Sequence, residues 1–233
     1  MAKRRRTGRP NPPPAGGRSE RRPVAEPRRL PWLRLVAGAI AIAGVLGFVG
    51  FALLNSGGAR AYSCDELLTA PAEASATDGF ATASLGSQHV APGTRIRYGF
   101  CPPTSGSHYN APGAGPLRPG FYGPDDAAGP GGWVHNLEHG YVVALYRCEG
   151  GTCPPAADLA ALRTFAANGP PTQSAAACGY RSKVVVARFD DMTRPFALLA
   201  WDRALLLDSF DQAAAQGFAS RFIEATAPEP AAC

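Results

Sequence analysis

Methionine and histidine are scarce in this chain of 233 residues, and cysteine is confined to one part of it. Met192 is the only methionine besides the first residue, which argues against a methionine-rich copper(I) carrier. No cysteine precedes Cys64, and apolar side chains are almost absent before Leu30. A segment with so little apolar surface cannot compensate for the entropy lost on folding. We therefore expect residues 1–31 to be a disordered tail.

Acidic residues are also rare at the start of the chain, so the charge is uneven. Up to Arg34 there are eleven Lys and Arg residues and two Glu residues, a net charge of +9. The remainder has 12 basic and 16 acidic residues, a net charge of −4. An acidic remainder binds polyanions poorly, because nucleic-acid affinity depends on Lys and Arg that neutralise phosphates. The sequence therefore predicts no nucleic-acid partner, and the protein partner stays unknown.

A long uncharged run follows the basic tail. The twenty residues from Leu35 to Leu54 contain no charged side chain. A helix of that length, at about 1.5 Å per residue, crosses a hydrocarbon core of about 30 Å. The sequence predicts a single transmembrane helix over residues 32–55 in the cell membrane, with the basic N-terminus in the cytoplasm and the C-terminal domain extracytoplasmic. A cleavable signal peptide is the alternative, but the apolar run is long for one.

All six cysteines follow this run. Cysteines confined to the exported side are typical of disulfide bonds in an oxidising compartment, and we expect at least four of the six to form disulfides. The alternative is that some are free or ligate a metal. Six cysteines allow fifteen pairings, among which the sequence does not choose. The spacing in Cys148-Glu-Gly-Gly-Thr-Cys153 favours one local disulfide, because the two glycines permit a tight turn.

The rest of the chain predicts a tether over residues 56–79 and one extracytoplasmic α+β domain over residues 80–233. Periodicity predicts strands at 94–100, 141–146, 183–189 and 195–201, and helices at 155–168 and 208–225. Turn-forming residues between the last two strands predict a hairpin, and the Pro- and Gly-rich residues 101–132 predict a long loop. The order of these elements favours an antiparallel sheet with helices on one face.

The four histidines lie within a span of 51 residues in the least regular part of this domain. His135 and His139 are four residues apart in Val134-His-Asn-Leu-Glu-His-Gly140. On a helix this spacing puts the rings about 6 Å apart, where they can share a metal ion, whereas on a strand they are about 13 Å apart. We predict a metal site for zinc or copper, the metals that imidazole suits, with Glu138 as ligand or supporting partner. Its histidine ligands are His89, His108, His135 and His139.

Two other interpretations of the histidine motif stay open. His-x-x-Glu-His is formally the inverted zinc-protease signature, in which two histidines hold zinc and the glutamate activates water. That signature requires a long helix and a further acidic ligand downstream. The histidines could instead only brace loops by hydrogen bonds, in a structural or partner-binding module. An enzyme is therefore the less favoured class, and no catalytic residue is assigned.

Several motifs resemble those of the bacterial membrane-protein family catalogued as domain of unknown function 3105. The motifs are Gly86-x-x-His89-Val90, Pro102-Pro-Thr-Ser-Gly-x-His-Tyr109, Gly120-Phe-Tyr122 and Val134-His-Asn-Leu-Glu-His-Gly140. The later stretch Leu199-Ala-Trp-Asp-Arg203 is similar to the family's Ala-Trp-Gly, with Asp202 in place of the glycine. The resemblance covers roughly residues 62–225 and implies an anchored extracytoplasmic domain without an established activity. It also places all four histidines in family motifs, which favours one joint site.

Overall fold

A computed structural model of the protein describes Val36 and residues 61–233, and the structural statements below concern these residues. Within residues 61–233 the chain forms ten strands and four helices. In chain order they are β1 (Tyr62–Leu67), β2 (Phe80–Ala81), β3 (His89–Val90), β4 (Ile96–Cys101), β5 (His108–Tyr109), β6 (Gly120–Phe121), α1 (Pro130–Glu138), β7 (Val142–Tyr146), α2 (Ala156–Ala167), α3 (Gln173–Ala177), β8 (Val184–Arg188), β9 (Phe196–Ala200), β10 (Arg203–Leu207) and α4 (Gln212–Phe222).

A mixed six-stranded sheet forms the centre of the domain, in the order β2-β10-β9-β7-β8-β6. The strands β6, β8 and β7 are parallel, β9 pairs antiparallel with β7, and β10 pairs antiparallel with β9. Every residue of β7 and β9 is buried. Strands buried on both faces read as continuous apolar runs, which is why the sequence Tyr141–Tyr146 shows no alternation.

The two faces of this sheet are covered by different elements. Trp133, Val134 and Leu137 of α1 pack against one face, which we call the α1 face. The helices α2 and α4 pack against the other, the α2/α4 face, through Leu162, Phe165, Ala215, Phe218 and Phe222. The polar residues of α1 therefore lie close to the apolar core, on the α1 face of the sheet.

The predicted antiparallel sheet with helices on one face is wrong. The strand β8 lies between β6 and β7 and pairs in parallel with both, so the predicted hairpin of residues 183–189 with 195–201 does not form. A different hairpin joins β9 to β10 at Asp202, whose φ of 52° lies in the left-handed region that aspartate tolerates. Because α2 and α3 link β7 to β8, the chain can return in parallel. Periodicity locates strands but does not say which of them pair.

The predicted transmembrane helix conflicts with the structure, and so does the membrane localisation that rests on it. No helix among Val36 and residues 61–233 is long and apolar enough to cross a membrane. The helix α2 has twelve residues, which at 1.5 Å per residue extend about 18 Å of the roughly 30 Å required. The predicted tail (1–31), the predicted span (32–55) apart from Val36, and residues 56–60 of the predicted tether lie outside the described residues.

Residues 62–67, which we expected to lie in the tether, form β1 of the folded domain. The strand β1 pairs in parallel with β4, and a disulfide joins Cys64 of one strand to Cys101 of the other. The remaining disulfides are Cys148–Cys153 and Cys178–Cys233. The expectation that at least four cysteines form disulfides is confirmed, and all six are paired.

Candidate metal centre

The helix α1 carries His135 and Glu138, and His139 is its C-cap residue. The helix has nine residues, all of them buried. Two glycines in its first turn let the preceding loop lie directly against it. A Cβ atom on Gly131 would come within 2.4 Å of the Tyr109 ring, and one on Gly132 within 2.8 Å of the Ala114 carbonyl oxygen. Close contact between the helix and the loop is therefore built into the sequence.

Asn136 fastens the long loop to α1. Its side-chain oxygen accepts a hydrogen bond of 2.8 Å from the Leu117 N–H, and its side-chain amide donates one of 2.7 Å to the Leu117 carbonyl. The side chain is fully buried, and a buried amide needs such partners. The sequence motifs do not predict this role of Asn136. Its position in the sequence could have indicated a role, because Asn136 lies between His135 and His139 on a helix whose other core-facing residues are apolar.

His89 and His108 come together through strand pairing. They are directly paired residues of the small parallel sheet formed by β3 and β5. Their ring centroids lie 4.7 Å apart, and the His135 ring lies 5.1 Å from His89 and 4.7 Å from His108. Three imidazole rings from three separate elements thus surround one point.

The carboxylate of Glu138 completes this group. Its Oε2 atom lies 2.9 Å from Nε2 of His108 and 3.2 Å from Nε2 of His89. One ligand atom from each of His89, His108, His135 and Glu138 lies within 4.8 Å of the others. Tetrahedral zinc with bonds of 2.0–2.1 Å has ligand atoms about 3.3 Å apart. The four residues, which we call the primary group, could therefore hold a metal ion after small shifts.

The primary group is buried except at one ring. The side chains of His108 and Glu138 are 0% and 5% exposed, whereas that of His89 is 44% exposed. A buried carboxylate is costly unless a positive charge or several hydrogen-bond donors compensate for it. His89 marks the side from which solvent reaches the group.

Backbone carbonyl groups assign the tautomers of two rings. The Nδ1 atom of His108 lies 2.8 Å from the Gly106 carbonyl oxygen, and that of His135 lies 2.7 Å from the Tyr109 carbonyl oxygen. A carbonyl oxygen only accepts, so both Nδ1 atoms carry hydrogen. In a neutral ring Nε2 then offers a lone pair, the arrangement found in metal-binding histidines. For His108 that lone pair faces the Glu138 carboxylate, which is repulsive unless a cation or a proton lies between them.

Burial keeps two of the rings neutral. Burial, with smaller contributions from the neighbouring histidine rings, lowers the pKa of His135 to about 4, against the opposing effect of the hydrogen bond to Tyr109. Burial also lowers the pKa of His139, and the carboxylates of Glu138 and Glu229 partly oppose that shift. Near neutral pH both residues are therefore metal-binding bases rather than imidazolium cations.

His139 lies beside the primary group rather than within it. Its Nε2 atom is 3.1 Å from Nε2 of His135 and 3.5 Å from a carboxylate oxygen of Glu229. With Glu138 and Glu229 it forms a second group whose ligand atoms lie within 4.8 Å of one another. The inverted zinc-protease signature requires both histidines of the motif to hold one ion, and only His135 belongs to the primary group. No local pattern singled out Glu229, which comes from the C-terminal tail.

The remaining predicted site residues, Cys148 and Cys153, lie just after β7 and form a disulfide with each other. Neither belongs to the primary group or to the group around His139. The structure thus brings together four of the five predicted metal ligands, puts the fifth in an adjoining group, and places the two cysteines elsewhere.

A family model described as "Protein of unknown function (DUF3105)" matches residues 89–233. The matched range is more than half of the chain and begins at His89. It includes all the histidine and glutamate residues of both groups. No curated protein and no solved structure matches the chain.

Proposed function

The chain belongs to the DUF3105 family, whose description assigns no activity. From the side chains of the primary group, we propose that the protein binds a transition metal ion there. The observation that carries this proposal is the convergence of three imidazole nitrogens and one carboxylate oxygen within 4.8 Å of one another. Three of these four residues are buried, and the four come from three separate elements, β3, β5 and α1. Such an arrangement is expensive to build without a ligand for it to hold.

The chemistry of the ligand atoms favours zinc. Copper(I) prefers sulfur ligands, but all six cysteines form disulfides and Met192 is buried in the apolar core. Three nitrogens and one oxygen suit tetrahedral Zn²⁺, and imidazole also suits copper(II). We take zinc as the first candidate ion and copper as the second.

A bound cation also accounts for the contact between His108 and Glu138. With hydrogen on Nδ1, the neutral His108 ring turns a lone pair towards the carboxylate at 2.9 Å. An ion between the two atoms turns this repulsion into two attractive contacts. The backbone carbonyl groups of Gly106 and Tyr109 hold the rings in the required orientation, as outer-shell partners of metal-binding histidines do.

A proton in place of the metal is the alternative that the same contact permits. His108 would then be an imidazolium cation paired with Glu138, and the cluster would be a structural network within a partner-binding or structural module. A buried pair of this kind holds loops in position but takes up no ion. Metal content separates the two accounts.

The three disulfides support a place of action in an oxidising compartment, outside the cytoplasm. Disulfides persist where thiols are not continually reduced. They join β1 to β4, close the turn after β7 and fix the C-terminal tail, so reduction would loosen three parts of the domain. We include this compartment in the proposal.

The change His89→Ala tests the site with little risk to the fold, because the ring is partly exposed. We expect zinc affinity to fall by more than about 100-fold, since even supporting partners of metal ligands contribute about 10–100-fold. The measurement is zinc binding by the full-length chain, purified without a histidine tag and with disulfides intact. Gln88→Ala, at the exposed neighbouring position, is the matched control and should bind like wild type.

Two results would contradict the proposal. One is an uptake of less than about half an equivalent of zinc or copper by the wild-type chain at micromolar free metal. The other is equal affinity in wild type, His89→Ala and a His108→Ala variant whose folding has been checked by thermal melting. Either result would favour the His108–Glu138 ion pair and a structural role.

A further inference from the structure

A second cation site adjoins the primary group. We propose that His139, Glu229 and Glu138 bind a second divalent cation, so that the centre holds two ions with the Glu138 carboxylate shared between them. This inference rests on the proposed function, because Glu138 is a ligand in both sites. The ligand atoms of the second site are one imidazole nitrogen and carboxylate oxygens. These atoms suit zinc as the first candidate ion and manganese as the second.

The distances in this second group fit a single ion. One ligand atom from each of Glu138, His139 and Glu229 lies within 4.8 Å of the others, and Nε2 of His139 is 3.5 Å from Oε2 of Glu229. Zinc with bonds of about 2.0–2.2 Å requires ligand atoms about 3.3 Å apart. A carboxylate has two oxygens and can therefore serve two ions, which in two-metal sites are about 3.5–4 Å apart.

Glu229 is held in place, unlike an ordinary surface carboxylate. Its backbone N–H donates a hydrogen bond of 3.1 Å to the Glu138 carbonyl oxygen. The fully buried ammonium group of Lys183 donates to the carbonyl oxygens of Pro230, Ala232 and His139, at 2.7, 3.0 and 2.9 Å. The tail is thus tied to the end of α1 on both sides of the Glu229 side chain.

A disulfide fixes the same tail at its far end. Cys233 is joined to Cys178, which follows α3. Together with the Lys183 ammonium group, this bond positions a segment that has no strand or helix of its own to hold it. The effect of these contacts is to bring the Glu229 carboxylate to His139.

The contact between His135 and His139 also favours two ions. The Nε2 atoms of the two rings are 3.1 Å apart, and Nδ1 of His135 carries its hydrogen. If His139 donated a hydrogen bond to His135, it would occupy the lone pair that the first ion needs. A second ion on Nε2 of His139 removes this conflict, because each ring then binds its own cation. Nδ1 of His139 is buried and accepts no hydrogen bond from the described residues, so it can carry the hydrogen while Nε2 binds the ion.

Metal stoichiometry tests the second site. We would load the full-length chain with zinc by equilibrium dialysis, with disulfides intact and without a histidine tag, and measure zinc per chain by elemental analysis. We expect two equivalents in wild type and one in Glu229→Ala, whose side chain is 55% exposed and tolerates replacement. Glu73→Ala, at an exposed position outside both groups, is the control and should retain two equivalents.

Titration calorimetry adds a second readout. Wild type should bind zinc in two phases, and Glu229→Ala should lose one phase while the dissociation constant of the other changes by less than about threefold. His139→Ala should lose the same phase, provided that its melting temperature shows a folded protein.

Each other outcome overturns a defined part of the proposal. One equivalent in both wild type and Glu229→Ala rejects the second site and leaves the primary group intact. Two equivalents in both reject the assignment to Glu229. Less than half an equivalent in wild type rejects the primary group, and the second site with it.

Discussion

The two faces of the six-stranded sheet are built by different means. The α2/α4 face is apolar and is covered by amphipathic helices, with Phe165 and Phe218 fully buried. The α1 face combines an apolar core with buried polar side chains, among them His108, Asn136 and Glu138. Apolar contacts depend on area and shape, whereas each buried polar group needs a particular partner. The first face should therefore determine stability, and the second should determine what the protein binds.

The largest expected effect comes from the α2/α4 face. Phe218 is fully buried in α4, and its ring centroid lies 4.8 Å from that of Phe222. Phe218→Ala should lower the free energy of unfolding by about 3–5 kcal/mol, because it removes buried area and leaves a cavity. Chemical denaturation measures this loss, and Ser220→Ala, exposed on the same helix, should change stability by less than about 0.5 kcal/mol.

The same variant tests whether the two faces act separately. Folded Phe218→Ala should bind as many equivalents of zinc as wild type, with a similar dissociation constant. A large loss of zinc affinity in the folded variant would show that packing on the far side of the sheet positions the metal ligands. The division between the faces would then fail.

A smaller effect on stability, but a clear one on binding, is expected at Asn136. Asn136→Ala leaves the Leu117 N–H and carbonyl groups without their partner, which should cost about 1–3 kcal/mol. The loop that carries Tyr109 loses its fastening to α1, so zinc affinity should fall by about 10-fold or more. Asn168→Ala, at the exposed C-cap of α2, is the control for replacing an asparagine. Unchanged zinc affinity in folded Asn136→Ala would contradict the role of this contact.

The smallest expected effect near neutral pH is the change in folding stability caused by protonation of His135. In the metal-free folded protein its pKa is about 4, against 6.5 for an ordinary histidine, and His89, His108 and His139 face its ring. Between these values the unfolded chain binds a proton that the folded protein does not. Stability should therefore fall as the pH is lowered from about 6.5 to about 4, and His135→Gln should make this dependence shallower.

Chemical denaturation at several pH values, in the presence of a chelator, measures this dependence. The Gln side chain can still donate a hydrogen bond but does not titrate, which makes it the matched replacement. Equal pH dependence in wild type and His135→Gln would show that the His135 ring is not the group that resists protonation. The α1 face would then differ from the α2/α4 face in binding but not in its response to acid.

Sequence reasoning succeeded best where structure is local. Apolar runs and helical spacing identified β4, β7, β8 and β9 and the helices α2 and α4, because the side chains of one element report its own burial. The pairing of β8 with β6 and β7 was not predicted. The backbone hydrogen-bonding groups of a buried apolar strand are the same whichever strand lies beside it, so its sequence does not identify its neighbours. The short strands β3 and β5, two residues each, carry too few side chains for any periodicity.

The candidate metal centre also combines features that the sequence determines with features that only the fold decides. The sequence by itself determined its chemistry, which is four imidazoles and a motif glutamate placed in one irregular region. That no cysteine competes for the metal follows only from the three disulfides of the structure. Only the tertiary structure decided which of them meet. The parallel pairing of His89 with His108, the clamp of Asn136 on Leu117 and the return of Glu229 to His139 each join residues far apart in the chain. The chemistry of a side chain belongs to the residue alone, but the distance between two side chains depends on the path of all the chain between them.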